Sequence, residues 1–138
     1  MKTSTNESGS LTAELVILTP LIMMVVLLMV AFGRVEIAAG QVADAARGAA
    51  QAAVLWPTPG QASQAATVTG SFDLHSDGIT CAPYGINVDT NQWGAGGNVS
   101  VTVTCQASLA GVALAGVPGS ITLRSTVVAP IETYRSIQ

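Results

Sequence analysis

The polar and apolar positions of this chain change rhythm twice. Residues 1–9 are polar and small, a short leader ahead of eighteen residues (15–32) that carry no charge and are interrupted only by Thr19 and Pro20. As a helix, at about 1.5 Å per residue, that run reaches roughly 27 Å, close to the hydrocarbon thickness of a bilayer. It is longer than the apolar core of an ordinary secretory signal, which spans about 7–15 residues. It is also apolar on all sides, and a domain this small could not cover such a helix in its own core. The pattern predicts one membrane-spanning helix, starting near Leu11.

The helix continues beyond the span. Apolar residues recur at Val35, Ala38, Ala39, Val42, Ala45, Ala46, Ala49, Ala52 and Ala53, the spacing of one helix face. Arg34, Gln41, Asp44, Arg47 and Gln51 form the polar side, with Asp44 and Arg47 three apart and able to pair. Gly33, Gly40 and Gly48 weaken the helix but allow close backbone approach. The small-residue face suits packing on the chain's own sheet, packing on neighbouring subunits, or both on different sides. The run Trp56-Pro57-Thr58-Pro59-Gly60 ends a helix of some 45 residues.

After Gly60 the period shortens to two. The clearest strand is 98–105, where Val99, Val101, Val103 and Cys105 alternate with Ser100, Thr102 and Thr104. A second covers 120–128, with Ile121, Leu123 and Val127 on one side and Thr122, Arg124 and Thr126 on the other. Weaker strand patterns at 66–74 and 79–88 are separated by the turn formers Ser76-Asp77-Gly78. A glycine-rich loop at 92–97 and a turn at Gly116-Val117-Pro118-Gly119 complete the reading. The expected fold is α+β: one long N-terminal helix whose second half lies on an antiparallel sheet of three or four strands.

Composition narrows the function. Of the 138 residues 49% are hydrophobic and only 9% charged, with a net charge of −3 and no basic run. A nucleic-acid partner is therefore not expected. His75 stands beside Ser76 and Asp77, but no nucleophile turn accompanies them. His75, Cys81 and Cys105 lack paired metal-ligand spacing. No catalytic residue, metal, cofactor or small-molecule substrate is expected. Cys81 and Cys105 fall on the apolar parity of their strands, so two thiols face one core. They form either a disulfide or a pair of free buried thiols. A bridge would stabilise by about 3 kcal/mol and place the domain on the oxidising side of the membrane.

Glu14 stands at the mouth of the apolar run, where a carboxylate is costly unless it reaches the interface or a partner. In the first turn of a helix it would also interact favourably with the positive end. The preceding residues add a second meaning. Gly9-Ser10-Leu11-Thr12-Ala13-Glu14-Leu15, Pro20 inside the helix, Phe32-Gly33-Arg34 at its far end and Ala43-Asp44-Ala45-Ala46-Arg47-Gly48-Ala49 together resemble the TadE-like family. These are minor pilins or pseudopilins of the tight-adherence (type IVc, Flp) pilus system. The tail is similar too, in the alternating strand 99–105, Pro118-Gly119 and Ile121-Thr122-Leu123-Arg124-Ser125-Thr126-Val127-Val128.

The resemblance implies a pilin-like fold and no enzymatic activity. It implies cutting after Gly9 by a prepilin peptidase, leaving Ser10 as the new N-terminus and Glu14 as the fifth residue. The freed Ser10 amine could then pair with Glu14 of a neighbouring subunit. It also implies a prepilin leader at 1–9, a transmembrane helix at 10–33, an extracytoplasmic helix extension at 34–56 and a small extracytoplasmic β-rich domain at 57–138. Lys2 is offset by Glu7 and Arg34 lies beyond the span, so charge alone does not orient the chain. The cysteines and the resemblance put the N-terminus in the cytoplasm and the domain outside the cytoplasmic membrane, with entry into a surface pilus as a further step. Expected partners are the membrane, the peptidase and other pilus or pseudopilus subunits. The rival expectation is an uncleaved single-pass protein acting as a cell-envelope binding or scaffold module.

Overall fold

The computed structural model describes residues 8–76, 81–108 and 119–134, with side chains from Glu14 onward. The first helix, α1 (Ser8–Val54), is continuous for 47 residues with Pro20 inside it. It starts at Ser8 rather than near Leu11, so Glu14 lies beyond its first turn. The favourable interaction with a helix end fades within that turn, and in the uncut chain it does not account for Glu14. At the far end, Leu55 N–H donates to the Ala52 carbonyl and Trp56 N–H to that of Ala53, both at 3.3 Å. These tighter i→i+3 bonds close the helix. Pro57 and Pro59, lacking N–H groups, cannot prolong it.

The strand expected at 66–74 is instead part of a second helix, α2 (Pro59–Ser76). Its start is well capped. Thr58 Oγ1 accepts from the Gln61 N–H at 3.4 Å and donates to Gln61 Oε1 at 2.9 Å. The Thr58 carbonyl takes the first intrahelical bond from Ala62 N–H at 3.0 Å. Pro59 occupies the first helical position, where its missing N–H removes no bond. The buried residues are Ala62, Ala66, Gly70 and Leu74, a spacing of four. A spacing of four also satisfies a period of two, and three of these positions fall within 66–74, which is why that segment reads as a strand. Ser76 ends the helix, while Asp77 and Gly78 of the expected turn lie outside the described residues, as do 79 and 80.

Three strands follow: β1 (Cys81–Asp89), β2 (Asn98–Ser108) and β3 (Ser120–Pro130), paired antiparallel in the order β1-β2-β3. The clearest expected strand is the central one. Its side chains alternate buried and half-buried, with Val99, Val101, Val103, Cys105 and Ala107 facing the core. On that face Val101 sits opposite Val88 on one side and Val127 on the other, and Val103 opposite Ile86. The outer face is polar: Thr102 Oγ1 and Thr126 Oγ1 are 2.9 Å apart, and Gln106 Nε2 donates to Ser120 Oγ at 3.0 Å. The glycine-rich loop before β2 is held by Trp93 N–H to the Thr90 carbonyl and Gly97 N–H to the Gly94 carbonyl. Gly96, at φ 76°, supplies the left-handed backbone this loop requires. Of the expected turn before β3, Gly116 to Pro118 lie outside the described residues.

The two helices lie side by side on the apolar face of the sheet, α1 over β2 and β3 and α2 over β1. The core is built from Val42, Ala45, Ala46, Ala49, Ala50 and Ala53 of α1, the buried row of α2 and the inner face of β2. Alanine and glycine let the helix backbones approach closely. A Cβ placed on Gly70 would lie 3.0 Å from Ile86 Cδ1 and 3.3 Å from Ala49 Cβ. Gly70→Val is therefore expected to destabilise the head by about 1–3 kcal/mol through overpacking. Gly60→Ala, in open space, should leave stability nearly unchanged. Thermal unfolding of the full chain in detergent checks the pair.

Candidate functional site

The first half of α1 is bare. Every large apolar side chain in 15–32 is at least 40% exposed, and Ile17 reaches 74%. Fully burying such a side chain is worth about 1.5–3 kcal/mol. Over this segment the sum is tens of kcal/mol, well above the about 5–15 kcal/mol by which an ordinary domain is stable. The segment therefore has to be covered by lipid or by other helices. Among the described residues α1 is the one helix long and apolar enough to cross a membrane, with a mean hydropathy of 2.9 in its most apolar stretch and none of that stretch buried.

Backbone chemistry inside the span suits that surrounding. In hydrocarbon each main-chain polar group must be satisfied internally. Thr19 does so for its hydroxyl, which donates to the Leu15 carbonyl at 2.6 Å. Pro20 removes one main-chain donor, the one that would reach the Val16 carbonyl one turn earlier. Charges mark the ends. Glu14 and Arg34 are both exposed, and twenty residues of helix set them about 30 Å apart, the thickness of the hydrocarbon core. Among the described residues nothing pairs with Glu14. Gly9 and Ser10 lie in the opening turn of α1, with their side chains outside the described set, and residues 1–7 of the expected leader lie outside it altogether.

In the second half of α1 the expected sides are both present. Asp44, Arg47 and Gln51 are exposed while Val42, Ala45, Ala46, Ala49 and Ala53 are buried. Arg47 donates to Asp44 Oδ1 at 2.8 Å on the solvent side, a pair worth only a few tenths of a kcal/mol. Gly33 and Gly40 face open space, whereas a Cβ on Gly48 would meet the Asp73 carboxylate.

Cys81 and Cys105 form a disulfide, with Cα atoms 5.2 Å apart, and no free cysteine is found among the described residues. The bridge ties β1 to β2 at the point where their register shifts, between Cys81 and Tyr84. His75, which stands just ahead of the expected Ser76-Asp77-Gly78 turn, is exposed and sits on the last turn of α2. Its Nδ1 donates to the Ser71 carbonyl at 2.6 Å and its ring meets Tyr84 edge-on, with centroids 5.4 Å apart. Among the described residues no three His, Cys, Asp or Glu side chains are grouped so as to hold a metal ion.

A bare apolar helix long enough to cross a membrane, carrying a small disulfide-bonded α+β head, fits the class of single-pass membrane proteins. Residues 9–51 match the family model of TadE-like proteins. That segment takes in Gly9, the apolar span and most of the alanine-rich half of α1, and it is the family whose motifs the N-terminal region resembles. The family is one of pilus-assembly proteins. No curated protein and no solved structure matches the chain.

Proposed function

We propose that the chain is a minor pilin or pseudopilin of a Tad (Flp) pilus, acting by helix packing rather than by catalysis. The observation that carries this reading is the family match at 9–51, which takes in the whole apolar span that the head leaves uncovered together with most of the half of α1 that the head buries. The anchor inserts in the cytoplasmic membrane with the N-terminus inside and the disulfide-bonded head outside. A prepilin peptidase then cuts between Gly9 and Ser10. Water supplies hydroxide to the Gly9 carbonyl carbon, leaving a carboxylate on the leader, and the Ser10 nitrogen departs as an amine that takes up protons. The new ammonium of one subunit pairs with Glu14 of its neighbour, and the exposed span and Gly33 and Gly40 pack against related subunits.

Gly9→Leu tests the processing step. The variant is expected to accumulate in the membrane with its leader attached, read as intact mass, while the head keeps its fold. Normal processing of Gly9→Leu removes the assigned cut site and favours an uncleaved anchor bearing an envelope scaffold module.

A further inference from the structure

We infer that the first turn of α1 must unwind before the leader can be removed, so that the helicity of the precursor sets the rate of its own maturation. The inference rests on the processing reading above. It follows from where α1 begins: at Ser8, one residue ahead of Gly9, which puts the Gly9–Ser10 bond inside a helical turn. In an α-helix the carbonyl of residue i accepts the N–H of residue i+4, so the Gly9 oxygen is held by Ala13 N–H. Hydrolysis adds water to that carbonyl carbon, and its oxygen must be handed to the enzyme's own donors as negative charge develops on it. Both requirements conflict with the intact turn.

Opening is inexpensive at this place and nowhere further along. The first four N–H groups of a helix have no intrahelical acceptor. Freeing Gly9 therefore breaks only the few bonds of the opening turn, those donated by Thr12 and Ala13 among them, and Gly9 itself favours the open chain. Beyond Glu14 the helix enters the apolar span, where an unpaired peptide group in lipid costs far more. Unwinding thus stops at the mouth of the span, which fixes the distance between the cut and the bilayer. The product loses nothing. Once the helix starts at Ser10, the Ala13 N–H belongs to the unpartnered first turn in any case, and Glu14 comes close to the positive helix end.

The Ala13-to-Gly9 bond encloses the backbone of residues 10–12, so Thr12 reports on the opening. Thr12→Gly and Thr12→Ala both discard the threonine's functional group and differ chiefly in helix propensity. With the full chain in proteoliposomes and a prepilin peptidase at limiting concentration, Thr12→Gly is expected to be cut about fivefold faster than Thr12→Ala. Equal rates, or faster cutting of Thr12→Ala, overturn the inference while leaving the processing site in place. No cut in the wild-type chain overturns the processing reading and the inference with it.

Discussion

Glu14→Ala is expected to leave the protein folded and inserted yet lower its incorporation into pilus assemblies by a hundredfold or more. Among the described residues Glu14 has no hydrogen-bond or ion-pair partner in its own chain, and the head core begins nearly eight helical turns further along, at Val42. Alanine is at least as good a helix former as glutamate and easier to place in lipid. Stability therefore gives no reason for a defect. Assembly does. On the proposed reading, subunits that pack through their anchors bury the Ser10 ammonium of one chain beside the acid of the next. Removing one partner of a buried ion pair costs about 3–5 kcal/mol because the other charge is left uncompensated. That corresponds to a factor of roughly 10²–10⁴ in an association constant. The measurement is the ratio of the chain in sheared surface fractions to that in membranes, with head unfolding as a control. Unchanged incorporation, with Glu14→Gln behaving the same way, would reduce Glu14 to an interfacial carboxylate.

The second large effect concerns the head. The double variant Cys81→Ala/Cys105→Ala is expected to lose about 3 kcal/mol, the constraint that closing a loop of this size places on the unfolded chain. In a domain this small that is a drop of about 15 °C in melting temperature. The core explains the dependence. It consists largely of alanine from two helices and valine from one strand, so little apolar area is buried per residue and a crosslink matters more. Wild-type protein melted under reductant should coincide with the double variant. A variant that melts with oxidised wild type would show that the bridge adds nothing to the fold.

Local periodicity made most of this architecture legible from the residues alone. The expected helix of some 45 residues compares with 47 for α1, because the apolar span and the alanine face run in one unbroken 3.6-residue register. β2 and β3 were readable because Val99 to Ala107 and Ile121 to Ala129 alternate cleanly between a core face and an outer face. The miss was α2. Its residues Ala66, Val68, Gly70, Phe72 and Leu74 alternate with Thr67, Thr69, Ser71 and Asp73, and Thr and Val favour strands. Tertiary packing nevertheless buries every fourth residue, Ala62 to Leu74, in the head core, with Gly70 close against Ala49 and Ile86. The signal that separates the two readings was present in Thr58-Pro59-Gly60-Gln61, a capping box with proline at the first helical position. The same residues that end α1 therefore also begin α2. At the candidate site the motif from Gly9 to Glu14 was visible in the sequence. That α1 extends back to Ser8 was not, since Gly9 and the polar residues around it weaken any local helix signal.

The N-terminus of the protein extracted from its native membrane, read by intact mass and terminal peptide mapping, tests the central claim most directly. The account predicts a chain beginning at Ser10, with Glu14 as its fifth residue. A chain beginning at Met1 or Lys2 would contradict it and leave α1 as an uncut anchor.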